Sequence, residues 1–381
     1  MRDYQMKINL TTARKQKPAF DQLQFGRHFT DHMFVMDYST EKGWFDPRII
    51  PYQPVTLEPS AMIFHYGQTV FEGLKAYLSK NKQVLLFRPN KNMERMNRSN
   101  TRLCMPPIDE EFALYALKQL LTIEKDWIPS NEGTSLYIRP FIISTEPFLG
   151  VAPSNSYKFM IILSPVGAYY KEGINPVKIS VEEEFVRAVQ GGTGNAKTAG
   201  NYAGSLKAQE VAGNAGYSQV LWLDGKEKKY IEEVGSMNVF FKINGEVVTP
   251  ILNGSILDGV TRDSIIQLIK HWNIPFSERK ISMEEIYQAH KDGILEEAFG
   301  TGTAAVISPI GEFFWRNEKL NINNGETGVL ARKLYDTLTG IQYGTHEDPF
   351  GWRVEVLEEA ININDYACNI QNTWYAMNEF K

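Results

Sequence analysis

The chain has 381 residues, of which 43% are hydrophobic and 22% charged, and its net charge is −5. That length supports two domains with full cores, and the slight acidity argues against nucleic acid as the main partner, because phosphate binding needs a basic excess. No apolar run reaches membrane-spanning length, the N-terminus lacks a signal peptide's apolar stretch, and Cys104 and Cys368 alone make neither a disulfide framework nor a cysteine zinc site, so a cytoplasmic protein is expected.

In chain order, residues 84–87 (Val84, Leu85, Leu86, Phe87) read as a short buried strand. Residues 92–105 read as a helix closed by Pro106 and Pro107, which cannot continue it. A second helix is predicted over 109–127, where Leu114, Leu117 and Leu121 recur on one face. Residues 135–140 alternate as a strand does, so Leu136 and Ile138 point one way while Tyr137 and Arg139 share the other face. Residues 158–163 are mostly apolar and read as a central strand. Between Pro165 and Pro176, prolines and glycines bracket polar and aromatic residues, the composition of an interdomain connection.

The second half restarts with strands at 177–181, 219–223 and 237–243. Asn244-Gly245 then turns the chain into Glu246-Val247-Val248, a hairpin signal because both turn positions need positive φ. Helices follow at 260–272, striped by Ile265, Leu268, Ile269 and Trp272, and at 329–341. The expected fold class is α/β (α+β) in two parts. An N-terminal domain covers 1–166, a linker 167–177 and a C-terminal domain 178–381, with a tail beyond about 356 that has no functional reading.

Lys197 stands in a glycine-rich, nearly uncharged segment, Gly194-Asn195-Ala196-Lys197-Thr198-Ala199-Gly200, with no carboxylate close by in sequence. A lysine in a crowded site of low charge tends to lose its proton, and a neutral amine attacks carbonyls. A solvated loop lysine is the plain alternative. The segment is not a Walker A loop, since Ala196 rather than glycine precedes Lys197-Thr198. No Gly-x-Gly-x-x-Gly joins a strand to a helix either.

Two other segments could cradle an anion. Residues 257–261 precede an amphipathic helix whose first N–H groups point outward, and residues 299–305 combine small residues with two hydroxyls. Either alone also fits an ordinary turn or cap. Together with an activatable lysine they suggest a phosphorylated aldehyde cofactor. A pyridoxal cofactor further needs a carboxylate at its ring nitrogen, and Glu232-Glu233 precede an apolar strand whose alternation would turn only one of them inward. Lys228 and Lys229 nearby leave a solvated loop carboxylate as the alternative. His28 and His32 would suit a metal pair on a helix, but their neighbours read as extended chain, so no metal is expected.

The chain resembles the branched-chain amino-acid aminotransferases, pyridoxal-phosphate enzymes of fold type IV. The resemblance runs from Phe25 to Trp352. It rests on Phe25-Gly26 with Phe29-Thr30-Asp31-His32-Met33, on His65-Tyr66 with Phe71-Glu72-Gly73-Leu74-Lys75-Ala76, and on Asn92-Met93-Glu94-Arg95-Met96. Tyr137-Ile138-Arg139-Pro140, Glu146-Pro147, Leu149-Gly150-Val151, the Lys197 segment, Glu233-Val234-Gly235-Ser236-Met237-Asn238, Gly259-Val260-Thr261-Arg262 and Gly300-Thr301-Gly302-Thr303-Ala304 follow in the same order.

The resemblance implies a smaller N-terminal α/β domain and a larger C-terminal domain with a barrel-like sheet, the active site lying between them. It implies that Lys197 is the Schiff-base lysine and proton shuttle. Arg95, Val260, Thr261 and Thr303 would hold the phosphate, with Arg187 nearby and Ser236 where threonine is usual. Tyr202 would hydrogen-bond the cofactor's phenolic oxygen, and Glu233 rather than Glu232 would face the pyridine nitrogen. Phe25, Tyr66, Tyr137, Arg139, Tyr169 and the backbone at Thr303-Ala304 map to substrate positions. Val151 maps to a residue reaching in from a second subunit, which implies a homodimer.

The implied activity is reversible amino transfer between leucine, isoleucine or valine and 2-oxoglutarate, with small amino acids and 2-oxo acids as partners and neither membrane nor nucleic acid. Aromatic walls suit the apolar side chains, and Arg139 with tyrosine hydroxyls suits the second carboxylate of glutamate. D-amino-acid transaminase and aminodeoxychorismate lyase share the fold but lack the Tyr-x-Arg-Pro and Phe-Glu-Gly-Leu-Lys-Ala context. Lys197, Glu233 and Arg139 weigh against a non-catalytic cofactor carrier. Where vertebrate members have a Cys-x-x-Cys pair this chain has Ala305 and Ser308, so thiol regulation is not expected there.

Overall fold

The computed structural model describes residues 5–167 and 174–357. Tyr169, most of the predicted linker and the tail beyond 357 lie outside the described residues.

The first stretch contains β1 (Lys7–Ile8), β2 (His32–Ser39), β3 (Gly43–Pro51), α1 (Met62–Tyr66), β4 (Thr69–Phe71), β5 (Leu74–Leu78) and β6 (Val84–Phe87). It continues through α2 (Pro89–Arg102), α3 (Glu110–Ile123), β7 (Ser135–Ser144) and β8 (Ser156–Val166). The second begins with β9 (Val177–Glu182), α4 (Ala199–Ala203), α5 (Leu206–Asn214), β10 (Gln219–Leu223), β11 (Ile231–Val234), β12 (Asn238–Ile243) and β13 (Glu246–Pro250). After these come α6 (Val260–His271), β14 (Phe276–Arg279), α7 (Met283–Lys291), β15 (Leu295–Gly302), β16 (Val306–Trp315), β17 (Glu318–Asn321), α8 (Val329–Gln342) and β18 (Arg353–Val356).

The described residues fall into two units. One draws on Met1–Ala168 with Gln342–Lys381, the other on Tyr169–Ile341. In the first, the strand order is β1-β3-β2-β8-β7-β5-β6-β18, with β4 on β7. Helices α2 and α3 supply Met93, Met96, Leu117 and Leu120 to a core shared with Leu136, Ile138 and Ile142 of β7. The period-two reading of β7 holds: those three are fully buried, while Tyr137 and Arg139 stand on the opposite face. Burying the apolar face is what sets the register, since a slip of one residue would put Tyr137 and Arg139 in the core.

Both predicted helices of the first unit end earlier than expected. Helix α2 ends at Arg102, before the prolines, because Cys104 turns the chain at φ +55. Helix α3 stops at Ile123, and Lys125–Trp127 tighten into a 3-10 turn. The chain after α8 also returns to the first unit instead of staying with the second. The reason is a strand pairing: β18 lies antiparallel to β6, with Arg353 opposite Phe87 and Val356 opposite Val84.

In the second unit the order is β11-β10-β9-β16-β15-β12-β13-β14, with β17 on β16. Its two edges meet, because Ile231 N–H donates to Ile281 O at 2.8 Å and Met283 N–H to Lys229 O at 3.0 Å. The sheet is therefore rolled in a barrel-like manner around Ile179, Leu221, Val239, Phe241, Val248, Ile286 and Phe313. Asn244 and Gly245 have φ +47 and +80, as the hairpin reading requires.

Candidate active site

The glycine-rich segment folds as consecutive turns ahead of α4. Gly194 lets it lie close to the neighbouring loop, since a Cβ there would sit 2.1 Å from Ser255 O. Asn201 braces it from within: its Nδ2 donates to Thr193 O and Ala196 O, each at 2.8 Å, while its Oδ1 accepts from Thr193 Oγ1 at 2.7 Å. The backbone is thus held on both sides of Lys197. Half-buried, Lys197 donates from Nζ to Tyr202 Oη at 2.9 Å.

The two glutamates depart from the alternation argument. Both are buried, each at 3% exposure, so the solvated-carboxylate reading fails for either. The cause is a register shift: Trp222 pairs with Glu233 but Leu223 pairs with Ile231, which leaves Glu232 as the extra residue of a β-bulge. At a bulge two successive side chains can turn the same way, and both carboxylates reach the loop 253–257. Glu232 Oε1 accepts from Asn253 Nδ2 at 3.3 Å and from Ser255 Oγ, while its Oε2 is buried without a partner. Glu233 Oε1 accepts the Leu257 N–H at 2.8 Å, and its Oε2 lies 3.0 Å from Arg187 Nε. That last contact is an ion pair rather than an aligned hydrogen bond.

Arg187 was expected near a phosphate. Here its guanidinium is committed to Glu233, to Ser255 O and, at 3.3 Å, to Gly194 O, so it ties the lysine loop to the glutamate. Burial pushes the Glu233 carboxyl above its ordinary range, while Arg187, the Leu257 N–H and Lys197 pull it down without fully offsetting that push. Two buried carboxylates beside one guanidinium make a place short of positive charge. A group presenting a protonated ring nitrogen fits it.

From Leu257 the chain runs into α6, whose N-cap Gly259 is extended and contributes no side-chain cap. The N–H groups of Val260 and Thr261 therefore open the helix as unsatisfied donors suited to an anion. Asn238 organises this end: its Nδ2 donates to Leu257 O at 2.9 Å, and a Cβ on Gly259 would meet its Oδ1 at 2.1 Å. Asn238 also pairs with Thr301, just ahead of the turn carrying Thr303 and Ala304. That turn closes with Val306 at φ +62, a strained conformation for a β-branched residue and one that favours a functional role for the turn. Ser236 is exposed on the β11–β12 turn. Asn238 was missed as a site residue, although a polar residue heading the apolar run Val239-Phe240-Phe241 was a usable signal.

In the first unit, Phe25, Tyr137 and Arg139 come together. The Phe25 and Tyr137 rings meet edge to face at 4.9 Å, and Arg139 donates to Tyr137 Oη at 3.0 Å while lying over the Phe71 ring. Gly73 makes room for Tyr137. Arg95 lies in α2, where Nε and Nη2 pair with the two oxygens of buried Glu72 at 2.8 Å each. Asn92 Nδ2 also donates to Glu72 at 2.8 Å, so a bidentate, doubly supported carboxylate fixes the guanidinium plane. Sequence reasoning overlooked Glu72, though an acid inside the apolar run Val70-Phe71-Glu72-Gly73-Leu74 needs a buried partner. Tyr66 donates to Leu149 O, and Val151 is 86% exposed.

A Cβ on Gly73 would fall 2.1 Å from Tyr137 Oη, the movable end of a side chain. Gly73→Ala should therefore displace Tyr137, and Arg139 with it, instead of unfolding the sheet. The expected result is a KM for amino donors raised about tenfold, roughly one lost hydrogen bond, with a near wild-type melting temperature. An unchanged KM would contradict a substrate role for Tyr137.

The amino-transferase class IV family matches residues 69–313. Branched-chain-amino-acid aminotransferase 2 of Bacillus subtilis (strain 168) is 72% identical over 351 residues, covering 92% of this chain and 97% of that protein. Branched-chain-amino-acid transaminase 1 of the same organism is 59% identical, covering 91% and 98%. Among solved structures, the branched-chain aminotransferase from Thermoproteus uzoniensis with norvaline has a TM-score of 0.72 at 26% identity, covering 86% of this chain and all of that one (100%). A T.th. branched-chain amino acid aminotransferase with pyridoxamine 5′-phosphate has a TM-score of 0.71 at 26% identity, covering 85% and 98%. The chain belongs to the class IV aminotransferases and, within them, to the branched-chain-amino-acid aminotransferases. Enzymes of this class depend on pyridoxal phosphate, whose amine, ring-nitrogen and phosphate requirements match the Lys197, Glu233 and α6 features above.

Proposed function

We propose that the protein transfers an amino group reversibly between leucine, isoleucine or valine and 2-oxoglutarate. The observation that carries this reading is the Lys197 amine held on Tyr202 in the same unit as the buried Glu233–Arg187 pair. When bound, pyridoxal phosphate supplies a carbonyl that takes the amino group and a ring that withdraws electrons. Lys197 Nζ then removes and returns the proton at the substrate Cα, and Tyr202 Oη orients that amine. Glu233 holds a proton on the ring nitrogen facing it, its own orientation set by Arg187 and the Leu257 N–H. The Val260 and Thr261 N–H groups with the Thr261 and Thr303 hydroxyls would take the phosphate, and Arg95 belongs to the same set by resemblance.

Phe25 and Tyr66 line the apolar side, Tyr137 and Arg139 receive carboxylates, and the backbone at Ala304 contacts the substrate. Tyr169 belongs to the same wall by resemblance. A homodimer is supported by the first unit's exposed apolar residues: Phe64, Phe148, Leu149 and Val151 come from α1 and the loop it pairs with through Ala61 and Pro147. No helix among the described residues is long and apolar enough to cross a membrane, and a cytoplasmic setting suits the two cysteines.

A panel of amino donors with 2-oxoglutarate tests the reading. Leucine, isoleucine and valine differ by a methylene or a branch point, so their kcat/KM values should fall within about 200-fold of one another. D-alanine and aspartate should be far slower. A rate with either that matches leucine would overturn the assignment.

A further inference from the structure

Asp31, His32 and Glu124 are buried next to one another at the head of β2 and the end of α3. Buried ionisable groups need partners, and those found here come largely from the N-terminal arm. Thr11 N–H donates to His32 Nε2 at 2.9 Å, so the ring proton resides on Nδ1, which donates to Glu124 Oε1. Glu124 Oε2 accepts the Asp31 N–H at 3.1 Å. Asp31 in turn accepts Lys15 N–H at 2.8 Å, Trp127 Nε1–H at 2.9 Å and Arg14 at 3.3 Å. Burial pushes the Asp31 carboxyl up, but these hydrogen bonds outweigh it and leave it below the usual carboxylate range.

Lys15 closes the circuit. Its Nζ donates to Thr30 O at 2.7 Å and Phe29 O at 3.3 Å, and lies 4.3 Å from the centre of the Tyr52 ring, on which Phe29 stacks. Both ends of segment 15–31 are thus tied at one point, which makes the segment a closed loop. Its middle carries Leu23, whose carbonyl would lie 2.8 Å from a Cβ on Gly167, and then Phe25 against Tyr137. Phe25 is 51% exposed, so burial alone does little to hold its ring in place.

We propose that this clasp positions Phe25 against Tyr137 and Arg139, and that Lys15 is a positioning residue for the apolar side of the substrate site. The proposal rests on the reading of Phe25 as a substrate contact. The Lys15 amine donates to backbone carbonyls and lies over the Tyr52 ring, and it acts through the loop.

The test uses the full-length holoenzyme and initial rates with leucine and 2-oxoglutarate. Lys15→Met keeps the aliphatic stem and removes the donor. It should raise the leucine KM by about three- to tenfold, the scale of one charge-assisted hydrogen bond, with kcat within about twofold. In a Phe25→Ala background the same substitution should add nothing further to KM, because the residue it positions is gone. Thr11→Pro, which deletes the N–H that His32 accepts, should repeat the pattern if Lys15→Met folds poorly. Equal KM increases in both backgrounds, or no increase in either variant, overturn the clasp. An unchanged leucine KM in Phe25→Ala alone overturns the reading of Phe25, a separate outcome.

Discussion

Replacing Lys197 with alanine should lower kcat by more than about 10³-fold, because it removes in one step the group proposed both as covalent anchor and as carrier of the Cα proton. The loss should be chemical rather than structural. Asn201 binds the backbone at Thr193 and Ala196, and Gly194 packs the loop on Ser255, without any contribution from the lysine side chain. The variant should therefore melt near the wild-type temperature while losing the yellow colour of the lysine-bound cofactor. Initial rates with leucine and 2-oxoglutarate, read beside the visible spectrum, check both halves. Turnover within tenfold of wild type would remove Lys197 from the mechanism.

Glu233→Gln should lower kcat by about 10²- to 10³-fold, the scale seen when one preorganised electrostatic partner is lost from a dry site. It should also change how stability of the cofactor-free protein depends on pH. Burial raises the folded-state pKa of Glu233 above its unfolded value, even against the pull of Arg187, the Leu257 N–H and Lys197. Between those two values the folded state binds more protons, so stability falls as pH rises. The wild type should thus hold its largest advantage over the glutamine variant below the ordinary carboxylate range. That advantage should shrink as pH climbs through the raised value and then level off. Melting curves of both proteins across pH decide the matter, and an advantage that grows with pH would show that the charged form is the one the fold prefers.

Local signals were read well where a period or a turn chemistry carries them. Leu136 and Ile138 went to the core, leaving Tyr137 and Arg139 hydrogen-bonded on the other face, because a strand buried on one side has only one workable register. Asn244-Gly245 turned as expected, since glycine accepts positive φ without strain and asparagine adopts it more readily than most residues. Helix ends were read less well. The backbone of Cys104 ended α2 before the prolines could, and α3 gave way to a 3-10 turn at the buried carboxylate of Glu124.

Part of the candidate site was legible in the same way. Lys197, Glu233 and the helix start at Val260 were singled out by residue type, spacing and resemblance. Their partners were not. Arg187 proved to belong to Glu233, Glu72 to Arg95 and Asn238 to the loop before α6. Each pair lies many residues apart, and a buried charge announces only that it needs a partner, not which one.

By itself, then, the sequence determined the class of enzyme, the hairpin at Asn244-Gly245 and the shared face of Tyr137 and Arg139, and it singled out Lys197 as the candidate for the chemistry. Only the tertiary structure decided that a bulge buries Glu232 together with Glu233, that β18 returns to the first sheet, and that Lys15 and Asp31 close the loop bearing Phe25. The physical reason is common to all three. Propensity, period and turn chemistry act within a few residues, whereas bulges, sheet order and the pairing of buried charges are settled by contacts between segments that meet only once the chain has folded.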